Sequence, residues 1–499
     1  MGWARIRGAP RRLPVDRRDL LDPVIDVTAR TAWLLRVSRL ASWWGSTTAE
    51  RFVDRLTEVG YPGRHASQVS LWESGRVTTS LGLVGAYERA LDLAPGELLG
   101  AVGGMQQTAR IHAVDRQPAD RAQVFRRLSQ LDERIVADIA TGADWIALAE
   151  LLTDPRVTPP AESTVRRWAY TLSVQMLRSG HFDYSSRWTA LSILLADPLF
   201  AEPVEAEIVS AIAEPGVPLA RNGWDALSQA TRPGIARSLI DRLVPGDEER
   251  SLGLAFGLAT MIGRVELSRD DVFRLRPRLR LLVDDGSAAE QEMGYMLAGR
   301  LGPTTMSELG HPPAPVWTRR SYVEKPPHYE QYVDAVRRTS GIEHDAMIER
   351  LLQEALSEVL LEKQQMANQL IGASPYRDAV ALTAVEVATS SPDPIARRGA
   401  ANMLRQLTPD DRVQLTRLLD SPDPHVVTTG IVASGRGGVQ EAAARLTVLC
   451  TDPRYRAEAL MALGMLGHQV RVDSAVELRA SQWWMRHRGD GPTPGSQVV

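Results

Sequence analysis

A recurrence in the last third of the chain sets the tightest limit on its fold. SPDP occupies 391–394 and returns at 421–424, and TDP follows at 451–453, so Asp393, Asp423 and Asp452 fall 30 and 29 residues apart. A run of small and apolar residues comes after each: IARRGAANMLRQL, HVVTTGIVASG and YRAEALMALGMLG. An aspartate side chain accepts from the open N–H groups at a helix start, and proline suits the first turn because its missing N–H is not needed there. Small residues such as Gly399, Ala400 and Ala401 let neighbouring helices approach closely. A period of about 30 residues with two helices per unit predicts a stacked array, each unit burying its apolar face on the next. Weaker Asp-started helices near Asp247 and Asp285 extend the expectation backward, with 123–302 read as degenerate repeats.

The rest of the chain fits an all-α fold. Alanine and leucine dominate, and few Val/Ile/Thr-rich runs alternate as strands would. With 499 residues the chain exceeds one compact core and predicts two to four units. Residues 1–25, rich in Arg and Pro, predict a flexible basic arm. Five short amphipathic segments fill 26–102. The stretch 103–122, GGMQQTARIHAVDRQPADRA, shows no apolar face and predicts a linker. Between 303 and 332 prolines accompany Trp317, Tyr322, Tyr329 and Tyr332, which predicts a long loop, either disordered or used for binding. Repeats are expected to resume over 333–486, and 487–499 to be a disordered tail. The array resembles HEAT-type repeats, although its period is short for them.

Several classes of protein are excluded by what is missing. No run reaches the roughly 18 apolar residues of a membrane span, and the positively charged start is not followed by the apolar stretch of a secretory signal. Cys450 is the single cysteine, so neither an internal disulfide nor a cysteine zinc site is expected, and a reducing cytoplasm fits. Nine histidines are scattered without HExxH spacing; there is no P-loop and no GxSxG elbow. The expectation is no enzyme, no metal and no cofactor. Charge is uneven: residues 1–110 hold 15 Arg against 11 Asp and Glu, while the remainder holds 43 basic and 50 acidic residues. A basic end of this kind can approach a polyanion that the acidic remainder would repel.

The string HASQVSLWESGRVTTSLGLVGAYERALDLAPGELLG at 65–100 carries the functional signal. Thr47 with Glu50 three positions on reads as a capping box opening a helix through Val59. Phe52, Val53 and Leu56 form its inward face. A second helix is predicted from His65 to Ser74. At about 100° per residue it turns Ala66, Val69, Trp72 and Glu73 to one side and Arg64, Ser67, Leu71 and Ser74 to the other, with Gln68 and Ser70 on the flanks. Gly75 ends it, and Ser80 starts the next helix. This arrangement resembles the Cro/repressor-type (XRE-like) helix-turn-helix family, through Trp72, Glu73, Gly75, Ser80, Leu81, Pro95 and Leu98. About 75 residues are covered.

The resemblance implies a five-helix module that presents one recognition helix to the major groove of double-stranded DNA. Side-chain chemistry then divides the roles. Ser67, Gln68 and Leu71 are candidate base readers, since Gln pairs with adenine, Ser with several bases and Leu with the thymine methyl. Arg64, Arg76, Thr47 and Thr48 are candidate phosphate contacts. Phe52, Leu56, Val69 and Trp72 are expected in the core, and Glu73 in a structural ion pair or hydrogen bond. Two features depart from the family: the turn 59–66 is about three residues longer, and no Lys or Arg lies between Arg64 and Arg76. Arg5, Arg7, Arg11 and Arg12 of the arm are candidates to compensate in the minor groove. The resulting expectation is a cytoplasmic, homodimeric transcription regulator whose repeats bind a protein or small-molecule effector. Its competitors are an interaction scaffold whose helix-turn-helix reads no DNA, and a DNA-binding subunit of a defence or plasmid-maintenance system.

Overall fold

The computed structural model describes residues 13–20, 22, 24–42, 47–111, 121–310, 325–356, 361–468 and 475–487. Among them every regular element is a helix. No described helix is long and apolar enough to cross a membrane.

Five helices occupy the N-terminal part: α1 (Val27–Ala41), α2 (Ala49–Glu58), α3 (Ala66–Trp72), α4 (Leu81–Ala90) and α5 (Glu97–Thr108). Local chemistry starts each one. Asp26 caps α1 by accepting from the Ala29 N–H at 2.9 Å, and Ser80 caps α4 through Leu83 at 3.2 Å. The residue capping α2 is Thr48, which accepts from the Arg51 N–H, so the helix start lies one position after the Thr47 of the predicted box and is closed by this side-chain cap. α5 is capped from a different helix. Glu88 of α4 accepts from the N–H groups of Gly96, Leu98 and Leu99 at 2.6, 2.9 and 3.1 Å. Burial pushes the Glu88 carboxyl up to about 7 while those three N–H groups pull the other way.

α5 runs six residues past the predicted module boundary, through Thr108, and Gly103, Gly104, Met105, Gln106 and Gln107 are buried. The linker therefore does not begin at 103. Gly103 and Gly104 were expected to break structure. Instead Gly96, Gly100 and Gly103 form the contact face for a later helix, α9. The chain first continues through α6 (Arg121–Val136), α7 (Gly142–Leu152) and α8 (Glu162–Arg178) to α9 (His181–Ala196). A Cβ on Gly103 would lie 2.5 Å from Thr189 Cγ2, and one on Gly100 3.0 Å from Ser185 Cβ. Small residues on both helices permit this approach, which larger side chains would prevent.

In the last third, Asp393 caps Pro394–Leu404 through the Ile395 N–H at 2.9 Å, and Asp423 caps Pro424–Gly437 through His425 at 3.0 Å. Asp452 does not repeat this. It accepts from Arg454 N–H in a turn, and the helix Arg456–Met465 begins only afterwards. Asp247 caps Glu248–Gly263 as expected, whereas near Asp285 the cap is Ser287, in a reciprocal box with Glu290. Each Pro-started helix pairs with the element before it, Arg377–Ser390 or the 3₁₀ stretch Arg412–Asp420, and successive pairs pack on one another.

The first and last described segments, 13–20 and 475–487, are both tied to this body. Residues 13–25 were expected to belong to a flexible arm, but Asp16 is buried, accepting from Asp26 N–H and from Arg30 Nε at 3.0 and 2.8 Å. Arg30 also donates to Glu354 at 2.7 Å, on the helix Ala346–Leu356. From the same helix, Arg350 donates to the carbonyls of Asp16 and Arg18. Trp33 of α1 donates to Asp345 at 3.0 Å and stacks on Tyr376, whose hydroxyl donates to the same carboxylate. At the other end Trp483 is buried in the helix Ala475–Arg486, and the ring of His487 contacts Glu214 at 2.8 Å. His487 thus belongs to the packed structure, and 488–499 lie outside the described residues. In the predicted loop 303–332, Pro303–Glu308 is helical and Tyr329 and Tyr332 are buried in Tyr329–Ser340. Trp317 and Tyr322 lie outside the described residues. One continuous apolar core joins Ile25 to Trp484.

Candidate nucleic-acid interface

The turn between α2 and α3 positions the site. Gly60 and Gly63 both take positive φ, at 87° and 75°, which bends the chain sharply twice. Between them Tyr61 is buried, and its N–H donates to Leu56 O at 2.8 Å. The Arg64 guanidinium lies 4.5 Å from the centre of the Tyr61 ring. Tyr61 therefore anchors this lengthened turn in the core, and the turn delivers Arg64, half-buried, to the start of α3.

α3 is fixed from behind. Val69 and Trp72 are buried, as are Phe52 and Leu56 of α2. Phe52 and Trp72 both meet the Tyr87 ring edge-on, at 5.0 and 6.4 Å between centres. Glu73 faces inward, where Arg39 of α1 grips it with two hydrogen bonds of 2.6 Å and the Tyr87 hydroxyl donates at 3.2 Å. Burial and the Glu73 carboxylate together push the Tyr87 hydroxyl well above its ordinary value. Gly75 then leaves the helix with φ +70°, a conformation that favours glycine, and lies in close contact with α1 at Ala29 and Ala32.

α3 ends at Trp72, two residues short of the predicted Ser74; its outer side carries Ser67, Ser70 and Leu71, all exposed, with Ser74, Arg76, Val77 and Thr78 exposed just beyond. None of these is acidic. Gln68 is half-buried, and its Oε1 accepts from the His65 N–H at 2.9 Å, closing the helix start. Thr48 is exposed at the α2 start and Thr47 half-buried beside it. The structure thus brings Ser67, Leu71 and Arg76 to one surface and ties Gln68 locally. Arg5, Arg7, Arg11 and Arg12 lie outside the described residues. Arg39 and Tyr61 escaped the sequence reading. Arg39 is 34 residues from Glu73, with no local pattern to connect them, whereas a tyrosine between two glycines was a readable sign of an anchored turn.

No protein-family model matches this chain, and no curated protein matches it either.

Proposed function

We propose that the chain is a sequence-specific DNA-binding regulator. In this reading α1–α5 form a helix-turn-helix module, α3 is its recognition helix, and the following helices form an α-solenoid of HEAT-like repeats that receives an effector or protein partner. The observation that carries it is the outer side of α3: an acid-free strip of Ser67, Ser70 and Leu71, with Arg76 exposed just beyond, backed by Val69, Trp72 and the Arg39–Glu73 pair. A short helix reads only a few base pairs, so two copies on half-sites about 34 Å apart would give a usable specificity.

Ser67 and Leu71 would touch base edges, and Gln68 would do so on exchanging its hydrogen bond with His65. Arg64, Arg76, Thr47 and Thr48 would contact phosphates and set the orientation. The test compares Gln68→Ala with Arg76→Ala on duplexes from the upstream region of the gene and on scrambled duplexes, at two salt concentrations. Gln68→Ala is expected to cost about 1–3 kcal/mol on the cognate site and little elsewhere. Arg76→Ala should weaken both duplexes alike and flatten the salt dependence. If both variants bind like the parent with helical content intact, α3 does not enter DNA.

A second reading, an interaction scaffold whose helix-turn-helix reads no DNA, is favoured by one observation. Gln68, the best base reader on α3, already has its carbonyl oxygen engaged by His65 N–H. A purified chain that shifts no duplex would select this reading.

A further inference from the structure

A cavity of about 50 Å³, with both polar and apolar side chains in its lining, lies where α5, α9, the helix Leu361–Ala373, the turn after Pro394–Leu404 and the helix Pro424–Gly437 converge. One buried water needs about 10–15 Å³ of such space, so the cavity holds roughly four waters, or one small polyatomic ion. We propose that it binds a hydrogen-phosphate group, as inorganic phosphate or as the head of a small phosphomonoester.

The lining dictates the charge of the occupant. Arg405 and Arg436 enter from different elements, and both have a buried Nε without a hydrogen-bond partner. Among the described residues neither forms an ion pair; Arg436 reaches only the Arg405 carbonyl, at 3.2 Å. Two guanidinium groups are therefore drawn together with no carboxylate between them. Burial, then Arg221 nearby, pushes Arg436 down to about 10 and moves Arg405 in the same direction. Glu458 acts on Arg405 and Asp225 on the adjoining Tyr184, but neither closes a salt bridge to the two arginines. His181, held at 2.7 Å by Thr408, is kept neutral, burial and Arg436 pushing it down to about 4. A net positive, water-sized cavity with unspent donors selects an anion.

The lining also selects the kind of anion. Guanidinium groups arriving from two elements suit a tetrahedral ion better than a planar carboxylate, whose oxygens lie in one plane. Gln406 contributes an opposite feature, a buried Oε1 that accepts from nothing. Hydrogen phosphate carries both charged oxygens for the arginines and a P–OH for Gln406. Sulfate at neutral pH carries no proton and leaves Gln406 unsatisfied.

Ala101 of α5 lines the same cavity, so the occupant rests against the last helix of the module that holds α3. Binding here stands independently of the DNA reading. Only its role as effector rests on that reading.

Calorimetry of the full chain without DNA, using inorganic phosphate, methyl phosphate, sulfate and chloride at matched ionic strength, tests the site. Phosphate should bind and raise the melting temperature, sulfate should bind at least ten-fold more weakly, and chloride should do nothing. Arg405→Gln and Arg436→Gln should each weaken phosphate at least ten-fold, and Gln406→Leu should narrow the gap between phosphate and sulfate. Arg405→Met serves as a folding control: removing an unpaired cation should raise the melting temperature without phosphate and abolish the rise with it. Tighter binding of methyl phosphate than of inorganic phosphate identifies a phosphomonoester as the natural occupant, and the reverse identifies the free ion. Absence of a phosphate effect beyond chloride, or arginine variants that bind like the parent, overturns the proposal. Duplex binding with and without phosphate is read separately, so a chain that binds phosphate but no DNA loses only the regulatory consequence.

Discussion

His181 shows how far a neighbourhood can move a single side chain. Burial and then the charge of Arg436, with smaller effects from Arg412 and Arg377, hold its imidazole down to about 4, against an opposing hydrogen bond with the Gln406 backbone. In the unfolded chain the ordinary value is 6.5. Between these two values the unfolded chain binds a proton that the folded chain refuses, so stability present above pH 6.5 is lost as pH falls towards 4. The loss from this residue is expected to reach about 1–3 kcal/mol. Urea unfolding of the parent and of His181→Gln between these pH values checks it, the variant losing less. Parallel curves would mean that His181 does not titrate as its surroundings require. Glu73 makes a related point at the proposed interface. A carboxylate on a DNA-facing helix would repel phosphate, and here Arg39 and Tyr87 absorb it on the inward side.

Among the elements, the contact between α5 and α9 depends most on residues that are absent as side chains. Gly96, Gly100 and Gly103 leave room for Ser186, Ser185 and Thr189. Alanine is the better helix former by about 1 kcal/mol, so Gly103→Ala would stabilise an isolated α5. In the folded chain its Cβ would stand 2.5 Å from Thr189 Cγ2, and the clash is expected to outweigh that gain, for a net loss of about 1–3 kcal/mol. Thermal unfolding of Gly103→Ala, and of Gly103→Ala with Thr189→Ser, separates the two effects: the second change should recover part of the loss. A variant as stable as the parent would show that the helices do not meet this closely.

At the scale of the whole molecule, the module α1–α5 is not a detachable bead. Trp33 and Arg30 are fully buried only because Asp345, Glu354 and Tyr376, more than 300 residues away, complete their surroundings. Arg30 pairs with Asp16 and Glu354 in a buried cluster, and removing one side of such a cluster strands the other charges. A fragment spanning 26–110 is therefore expected not to unfold cooperatively by itself, whereas the full chain should lose the α1–α5 and Ala346–Leu356 signals together. Sharp, reversible melting of the fragment would contradict this. The same continuity gives an occupant of the Arg405–Arg436 cavity a packed route towards α5.

Some of this was legible in the order of residues, because it depends on neighbours within a few positions. Helix character follows from Ala/Leu richness and apolar spacing. The starts at Asp393 and Asp423 follow from an acceptor placed before proline, and the inward set Val69, Trp72 and Glu73 from the turn of one helix. Asp452 shows the limit even here, since an identical Asp-Pro pair can close a turn instead of a helix. What the tertiary structure alone decided involves groups far apart in the chain. Gly103 reads as a break until α9 packs on it, and residues 13–20 read as part of a loose arm until Arg30, Arg350 and Lys363 receive them. The pairing of Arg405 with Arg436 across one cavity has no signature along the sequence. A side chain's role is set by the charges and atoms that folding brings within a few ångströms of it, and those neighbours come from anywhere in the chain.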